Sequence, residues 1–192
     1  MLEREQELIA RAQAGDIECF AQLYDHYIPK IYRFVFVKTS HKQEAEDLTH
    51  EVFLSAWQNL GRYEHKGFPF SSWLYQVARN KIIDYYRVRK SHASVEEADA
   101  DAEWAKVENT LAQDLDNSLR VEHIKKLFRI LSPDQQDVIL MRFVEDLSYG
   151  EIAHAMGKSE GAVRLIQHRA IQELRKQLGL TGEGDIEALN SL

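Results

Sequence analysis

The stretch from Ser132 to Lys176, "SPDQQDVILMRFVEDLSYGEIAHAMGKSEGAVRLIQHRAIQELRK", marks three helix starts in close succession. Ser132 is followed by Pro133 and, three positions on, by Gln135. That is a capping box with proline at the first helical position, where a missing N–H costs nothing. Ser148 with Glu151 makes a second box. Between them Val138, Met141 and Leu140, Phe143, Val144 repeat at helical spacing, so one face is apolar. A short helix follows with Ile152, Ala153 and Met156 facing inward, and Gly157 and Lys158 then precede Ser159. Glycine supplies the left-handed conformation of a tight inter-helix turn, and Ser159 can cap the next helix. The stretch is therefore expected to fold as helix, glycine-containing turn, helix.

Placed at helical steps, Ala162, Val163, Ile166, Ala170 and Leu174 of the last helix fall on one side as its packed face. The opposite side carries Gly161, Arg164, Leu165, His168 and Arg175, with Arg169 and Gln167 at its margins. Arginine, an apolar side chain able to meet a thymine methyl, and a small residue allowing close approach suit entry into a major groove. The same pattern fits an ordinary solvated helix on a small bundle, so this helix alone leaves both readings open.

At 192 residues the chain suffices for one or two small domains with real cores, and strand signals are nearly absent apart from Phe34 to Val37 inside a helical pattern. No run approaches the roughly 18 apolar residues of a membrane span, and "MLEREQELIA" lacks the features of a signal peptide. A cytoplasmic location with no membrane insertion is the expectation. The single Cys19 excludes an internal disulfide, and no Cys/His cluster has zinc-ligand spacing. No metal site, cofactor or catalytic residue is expected; paired carboxylates, metal ligands and a nucleophile with its base are all missing, so an enzyme is not.

The formal charge of −7 looks unsuited to a nucleic-acid binder until it is partitioned. Residues 1–90 hold 13 Lys and Arg against 12 Asp and Glu, and residues 120–192 hold 10 against 11. Residues 91–119 hold 1 against 8, so the excess acidity lies in one central segment. Two near-neutral lobes joined by an acidic connector are expected.

Residues 3–14 read as a short amphipathic helix with Leu8, Ile9 and Ala12 inward, after which Gly15 interrupts and Asp16 caps. Phe20, Leu23, Tyr24, Tyr27, Ile31 and Phe34 then repeat at helical spacing, an aromatic stripe of the kind that forms core. Ser40 with Gln43 predicts another capping box, opening a helix that buries Ala45, Leu48, Val52 and Ala56. Its far side exposes Asp47, His50, Leu54, Trp57 and Gln58, and a tryptophan and a leucine among polar residues resemble an interface hot spot. The competing reading packs Trp57 under the following loop. "GRYEHKGFPF" is a loop of defined shape, and Ser71 or Ser72 is expected to cap the next helix. That helix interleaves Arg79, Lys81, Arg87, Arg89 and Lys90 with Trp73, Tyr75, Tyr85 and Tyr86. Basic groups that track phosphates beside aromatic faces that accept unstacked bases suit single-stranded or melting DNA; a charge-rich helix end is the plainer alternative. Residues 91–114 read as an acidic linker, helical in part around Trp104 to Leu111, and Leu119, Ile124, Leu127 and Leu131 begin the second lobe's stripe. The tail at 181–192 is expected to fray.

Together these stretches resemble a bacterial RNA polymerase sigma factor of the small extracytoplasmic-function type. "AEDLTHEVFLSAW" is similar to that family's region 2.2, "FSSWLYQVARNKIIDYYR" to regions 2.3 and 2.4, and "LSPDQQDVILMRFVEDLSYGEIAHAMGKSEGAVRLIQHRA" to region 4. The resemblance implies an all-α chain of two small helical domains: region 2 at 1–90, binding core polymerase and the minus 10 element, and a region 4 helix-turn-helix domain at 115–180, binding the minus 35 element. It places Asp47, Leu48, Glu51, Leu54, Trp57 and Gln58 on or beside the surface docking to the clamp helices of the largest subunit of core RNA polymerase. It makes Tyr63, Phe68, Phe70, Trp73, Arg79, Asn80 and Arg87 candidates for minus 10 promoter DNA. For minus 35 DNA it points to Ser159, Glu160, Arg164, Leu165, His168 and Arg169. Many members have a basic residue where this chain has Ile166, which implies fewer contacts from that turn. With no domain after residue 180, control by a separate anti-sigma protein is the expectation. A sigma-like decoy that binds an anti-sigma protein without DNA is the alternative; it could dispense with the basic and aromatic helix and with Arg164 and Arg169.

Overall fold

The computed structural model describes residues 4–92 and 128–178, and every regular element among them is helical. In chain order these are α1 (Glu5–Gln13), α2 (Ile17–Thr39), α3 (Lys42–Asn59), a 3-10 turn (Leu60–Arg62) and α4 (Phe70–His92). After the gap come α5 (Pro133–Ile139), which runs on as a π turn (Leu140–Val144), then α6 (Tyr149–Met156) and α7 (Glu160–Leu178). Residues 93–127 lie outside the described residues, and with them nearly all of the expected acidic linker and Leu119, Ile124 and Leu127; so does the 181–192 tail. No described helix is long and apolar enough to cross a membrane.

The helix starts follow local chemistry. Asp16 accepts from the Cys19 N–H at 3.2 Å and starts α2. The Ser132 hydroxyl accepts from the Gln135 N–H while the Gln135 side-chain Oε1 accepts from the Ser132 N–H, and Ser148 with Glu151 does the same for α6. Gly157 ends α6 at φ 62°, in the left-handed region where a Cβ would be strained, and Ser159 accepts from the Ala162 N–H at 3.2 Å. Two expected caps are corrected. Ser40 sits in the left-handed region at the end of α2, and His41 caps α3 instead, its Nδ1 accepting from the Glu44 N–H. Helix α4 begins at Phe70, which puts Ser71 and Ser72 inside it.

In the amino-terminal half, Leu23, Tyr27, Ile31 and Phe34 of α2 meet Ala45, Val52, Phe53 and Ala56 of α3 and Phe70, Leu74, Tyr75 and Ala78 of α4, all buried. Each large side chain removed from water contributes about 1.5–3 kcal/mol before the entropy of ordering is set against it. The carboxy-terminal half packs Val138, Met141, Ile152, Met156, Val163 and Ala170 among α5, α6 and α7.

The two halves do not stand apart. Helix α4 packs along α6, and their buried residues join in one cluster. Polar contacts ring the seam. Arg33 of α2 grips Glu145 with both ends of its guanidinium, at 2.7 and 2.9 Å. Lys38 lies 2.9 Å from Asp137 with both side chains almost wholly buried. Arg79 donates to Asp137 at 2.9 Å and also to Asp134, which Lys158 approaches at 3.1 Å. The buried Ser72 hydroxyl donates to the Glu151 carbonyl at 2.6 Å, and Phe68 stacks on His154 with centroids 4.7 Å apart.

Candidate nucleic-acid and partner interfaces

On the outer side of α2 and α3, Ile17, Phe20, Tyr24, His50, Phe53, Leu54 and Trp57 line an open apolar groove of about 500 Å³. Ile17 is 69% exposed and Leu54 57%, an unusual exposure for such large apolar side chains on neighbouring helices. Trp57 is half-buried and packs on the Phe20 ring at 4.8 Å, so it leans on α2 and not under the following loop. Asp47, Glu51 and Gln58 are exposed around it, and Glu51 pairs with Lys81 at 3.2 Å. Leu48 is 6% exposed and belongs to the core, as its place on the buried stripe of α3 predicts, so of the residues named on or beside the docking surface it lies beneath and not on it. The sequence reading missed Ile17, whose exposed apolar side chain directly after the Asp16 cap was the available signal.

A second, more polar cleft of about 410 Å³ opens between the end of α3 and the first half of α4. Tyr63, Trp73 and Asn80 line it together with Ser55, Arg62 and Lys81. Tyr63 and Trp73 contact each other at 5.0 Å, and burial, followed by the nearby Glu5 charge, pushes the Tyr63 hydroxyl up to about 12. The remaining candidates for minus 10 DNA are dispersed. Phe70 is a correction: it is fully buried between Tyr27, Tyr63 and Trp73 and props their rings from beneath. Phe68 is engaged with His154 and Arg79 with Asp134 and Asp137, so neither faces the cleft. Arg87 is exposed further along α4, paired with Asp84 at 2.9 Å.

The outer face of α7 gathers its candidates in one place. Gly161, Arg164, Leu165, His168 and Arg169 are exposed, whereas Val163 and Ala170 are buried and Ala162, Ile166 and Leu174 are half-buried against the bundle. Ser159 and Glu160 are exposed at the helix start, with Glu160 3.7 Å from Arg164. Arg175, expected on the outer face, is half-buried. The Arg164 guanidinium lies over the Tyr149 ring, 3.8 Å from its centroid, and Arg142 approaches the same ring at 5.2 Å. Tyr149 escaped the sequence reading because its partner stands 15 positions away in the chain.

Residues 23–92 match the family model for Sigma-70 region 2, and residues 127–176 match that for Sigma-70 region 4. The chain is 35% identical over 178 residues to the ECF RNA polymerase sigma factor BldN of Streptomyces coelicolor, covering 91% of this chain and 66% of that protein. It is 30% identical over 171 residues to the ECF RNA polymerase sigma factor SigX of Bacillus subtilis, covering 86% of this chain and 87% of that one. RNA polymerase sigma factor CarQ of Myxococcus xanthus is 33% identical over 172 residues, with 88% and 94% covered. Among solved structures, CnrH in complex with the cytosolic domain of CnrY shares the fold with a TM-score of 0.70 at 20% identity, over 93% of this chain and 99% of that one. Sigma factor RpoE in complex with the anti-sigma factor NepR from Bartonella quintana does so at 0.64 and 22%, over 85% and 98%. Two region models in order and relatives aligned across most of both lengths lead to one conclusion: this chain belongs to the ECF RNA polymerase sigma factors, which act in transcription initiation.

Proposed function

We propose that the chain is a dissociable initiation subunit that joins core RNA polymerase through the α2–α3 groove, reads minus 35 DNA with α7, and engages and melts minus 10 DNA through the α4 cleft. The observation that carries this reading is the outer face of α7, where Arg164, Leu165, His168 and Arg169 stand exposed together on the second helix of a helix-turn-helix. Arginine forks match guanine edges bidentately, and an exposed leucine beside them offers a thymine methyl its apolar contact. The cleft supports the melting role, since Tyr63 and Trp73 offer aromatic surface beside Arg62 and Lys81, a combination suited to unstacked bases on a charged backbone. Leu54, Ile17 and Trp57 supply the apolar centre of a protein-docking surface, with Asp47, Glu51 and Gln58 as its polar rim. Work with polymerase places the protein in the cytoplasm and requires no covalent chemistry of its own. An anti-sigma protein is the expected antagonist, by analogy with the two structural neighbours, each solved with a partner protein.

In vitro transcription with purified core polymerase over a library of genomic fragments tests the whole reading. Start sites that share two spaced elements, lost when Arg164 and His168 are replaced, support it. A chain that binds an anti-sigma protein but never directs initiation is the decoy, and that result overturns the proposal.

A further inference from the structure

Helix α1 ties down the loop that carries Tyr63 into the α4 cleft. Gln13, the last residue of α1, uses its side-chain amide on that loop, donating to the carbonyls of Leu60 at 2.9 Å and Tyr63 at 2.8 Å. Glu5, at the opposite end of α1, holds the far end of the loop. One of its carboxylate oxygens accepts from the Phe70 N–H at 3.3 Å, and the other accepts from the Tyr27 hydroxyl. Gln6 meets His65 between them, with side-chain nitrogens 3.1 Å apart. All three lie ahead of residue 23, where the region 2 match begins.

Burial singles out Glu5. It is 7% exposed, and a carboxylate that leaves water needs donors in its place. Its donors come from α2 and α4, so one side chain of α1 joins three helices. The residue before α4 is Pro69, whose side chain has no acceptor for the first amides of the helix. From 65 positions away Glu5 supplies what a local cap would, and a negative charge suits a helix start. The amide it holds belongs to Phe70, whose ring lies 5.3 Å from both Tyr63 and Trp73. Between the two ties Glu64 to Gly67 are exposed and Gly67 turns left-handed at φ 80°, so this stretch has no buried side chain of its own to set its path. The span from Glu5 to Gln13 is about 12 Å along a helix, a rigid spacer between the loop's ends.

We propose that α1 positions the minus 10 cleft: Gln13 fixes the loop where it leaves the 3-10 turn, Glu5 fixes it where it enters α4, and the Tyr63 and Trp73 rings are thereby preset for an unstacked base. Neither Glu5 nor Gln13 contacts DNA in this arrangement. Their effect is preorganisation, since a loop that must be ordered on binding costs affinity and a loose pocket accepts the wrong base more readily. This rests on the minus 10 role proposed above for the cleft.

Holoenzyme assembled with core polymerase is titrated by fluorescence anisotropy with a labelled single-stranded oligonucleotide of the mapped minus 10 sequence, and with its single-base variants. Gln13 is exposed, so Gln13→Ala leaves the core and the net charge unchanged. It should weaken the matched oligonucleotide about two- to ten-fold, the net worth of a hydrogen bond, and bring matched and variant sequences closer together. Glu5→Ala should do the same although it removes a negative charge. Glu5→Gln should restore the parent values, because its amide oxygen can accept from Phe70 while its NH2 donates to the Tyr27 hydroxyl. Binding of a minus 35 duplex should stay at the parent value. In hydrogen exchange, amides at 61–70 should exchange faster in Gln13→Ala and Glu5→Ala, with those of α7 unchanged. Parent-like affinity and discrimination in Gln13→Ala overturn the proposal; if Tyr63→Ala still weakens the oligonucleotide, the cleft reading survives it. Equal losses at minus 10 and minus 35 mark a general loss of structure and overturn it as well. If Tyr63→Ala and Trp73→Ala both bind the oligonucleotide as the parent does, the cleft is misassigned and both readings fall.

Discussion

Leu54→Ala separates a docking role from a structural one. Leu54 is 57% exposed on α3, and full burial of a leucine side chain contributes about 1.5–3 kcal/mol. If docking covers the part now in water, roughly half of that amount is at stake, and truncation should weaken core polymerase binding by about 0.8–1.5 kcal/mol, or roughly four- to twelve-fold. The same change should leave folding within about 0.5 kcal/mol, because an exposed side chain leaves no cavity when shortened. Leu74→Ala on α4 is the control: it is fully buried, so its truncation should cost about 2–5 kcal/mol of stability. Affinity is read by fluorescence-anisotropy titration of labelled protein with core enzyme, and stability by urea denaturation of the same samples. Wild-type affinity in Leu54→Ala would refute the assignment of this groove to polymerase. A large loss of stability in Leu54→Ala would refute the burial argument itself.

Arg164→Ala and His168→Ala should each weaken binding to a minus 35 duplex by about 1–3 kcal/mol and relax sequence preference there, read by competition footprinting with variant sites. Ser148→Ala removes one arm of the capping box at the start of α6 and should cost about 1 kcal/mol in urea denaturation, with Ser148→Gly costing less. The His154 imidazole is held below its ordinary value by burial, then by the Lys66 charge, with Phe68 stacked on it and the Ser72 hydroxyl 3.3 Å from its Nδ1. Packing therefore favours neutral His154, and its contribution to stability is intact above about pH 6.5 and declines as pH falls below that value. Stability in urea denaturation should fall only below about pH 6.5, and His154→Phe, which keeps the stack, should flatten the profile.

Local chemistry was legible in the sequence, and long-range chemistry was not. The boxes at Ser132 and Ser148 and the left-handed Gly157 follow from spacing alone, because a cap's partners lie within three or four residues. Ser40 misled for a local reason: the imidazole of His41 stands one residue nearer the helix and takes its N–H. Ser72 has a cap's chemistry, but its hydroxyl serves a carbonyl 79 positions away. The outer face of α7 was readable because burial of Val163 and Ala170 determines which side remains in water. Phe70 was not, since an aromatic residue in a shaped loop reads the same whether its ring points out to a base or down into the core. The pairing of Arg79 was hidden for a related reason. A basic residue on an amphipathic helix looks available until the acids of another segment, Asp134 and Asp137, are brought beside it.

The stacking of Arg164 on Tyr149 bears on how tightly and how selectively α7 can grip DNA. A free arginine side chain gives up about 1.5–2 kcal/mol of rotamer freedom when it is immobilised. Here the Tyr149 ring takes part of that freedom within the folded protein, so if α7 enters the groove as proposed, the guanidinium arrives as a stiffened, aimed prong. A stiff prong cannot swivel to accommodate a displaced acceptor, and mismatched promoters should be rejected through faster release more than through slower capture.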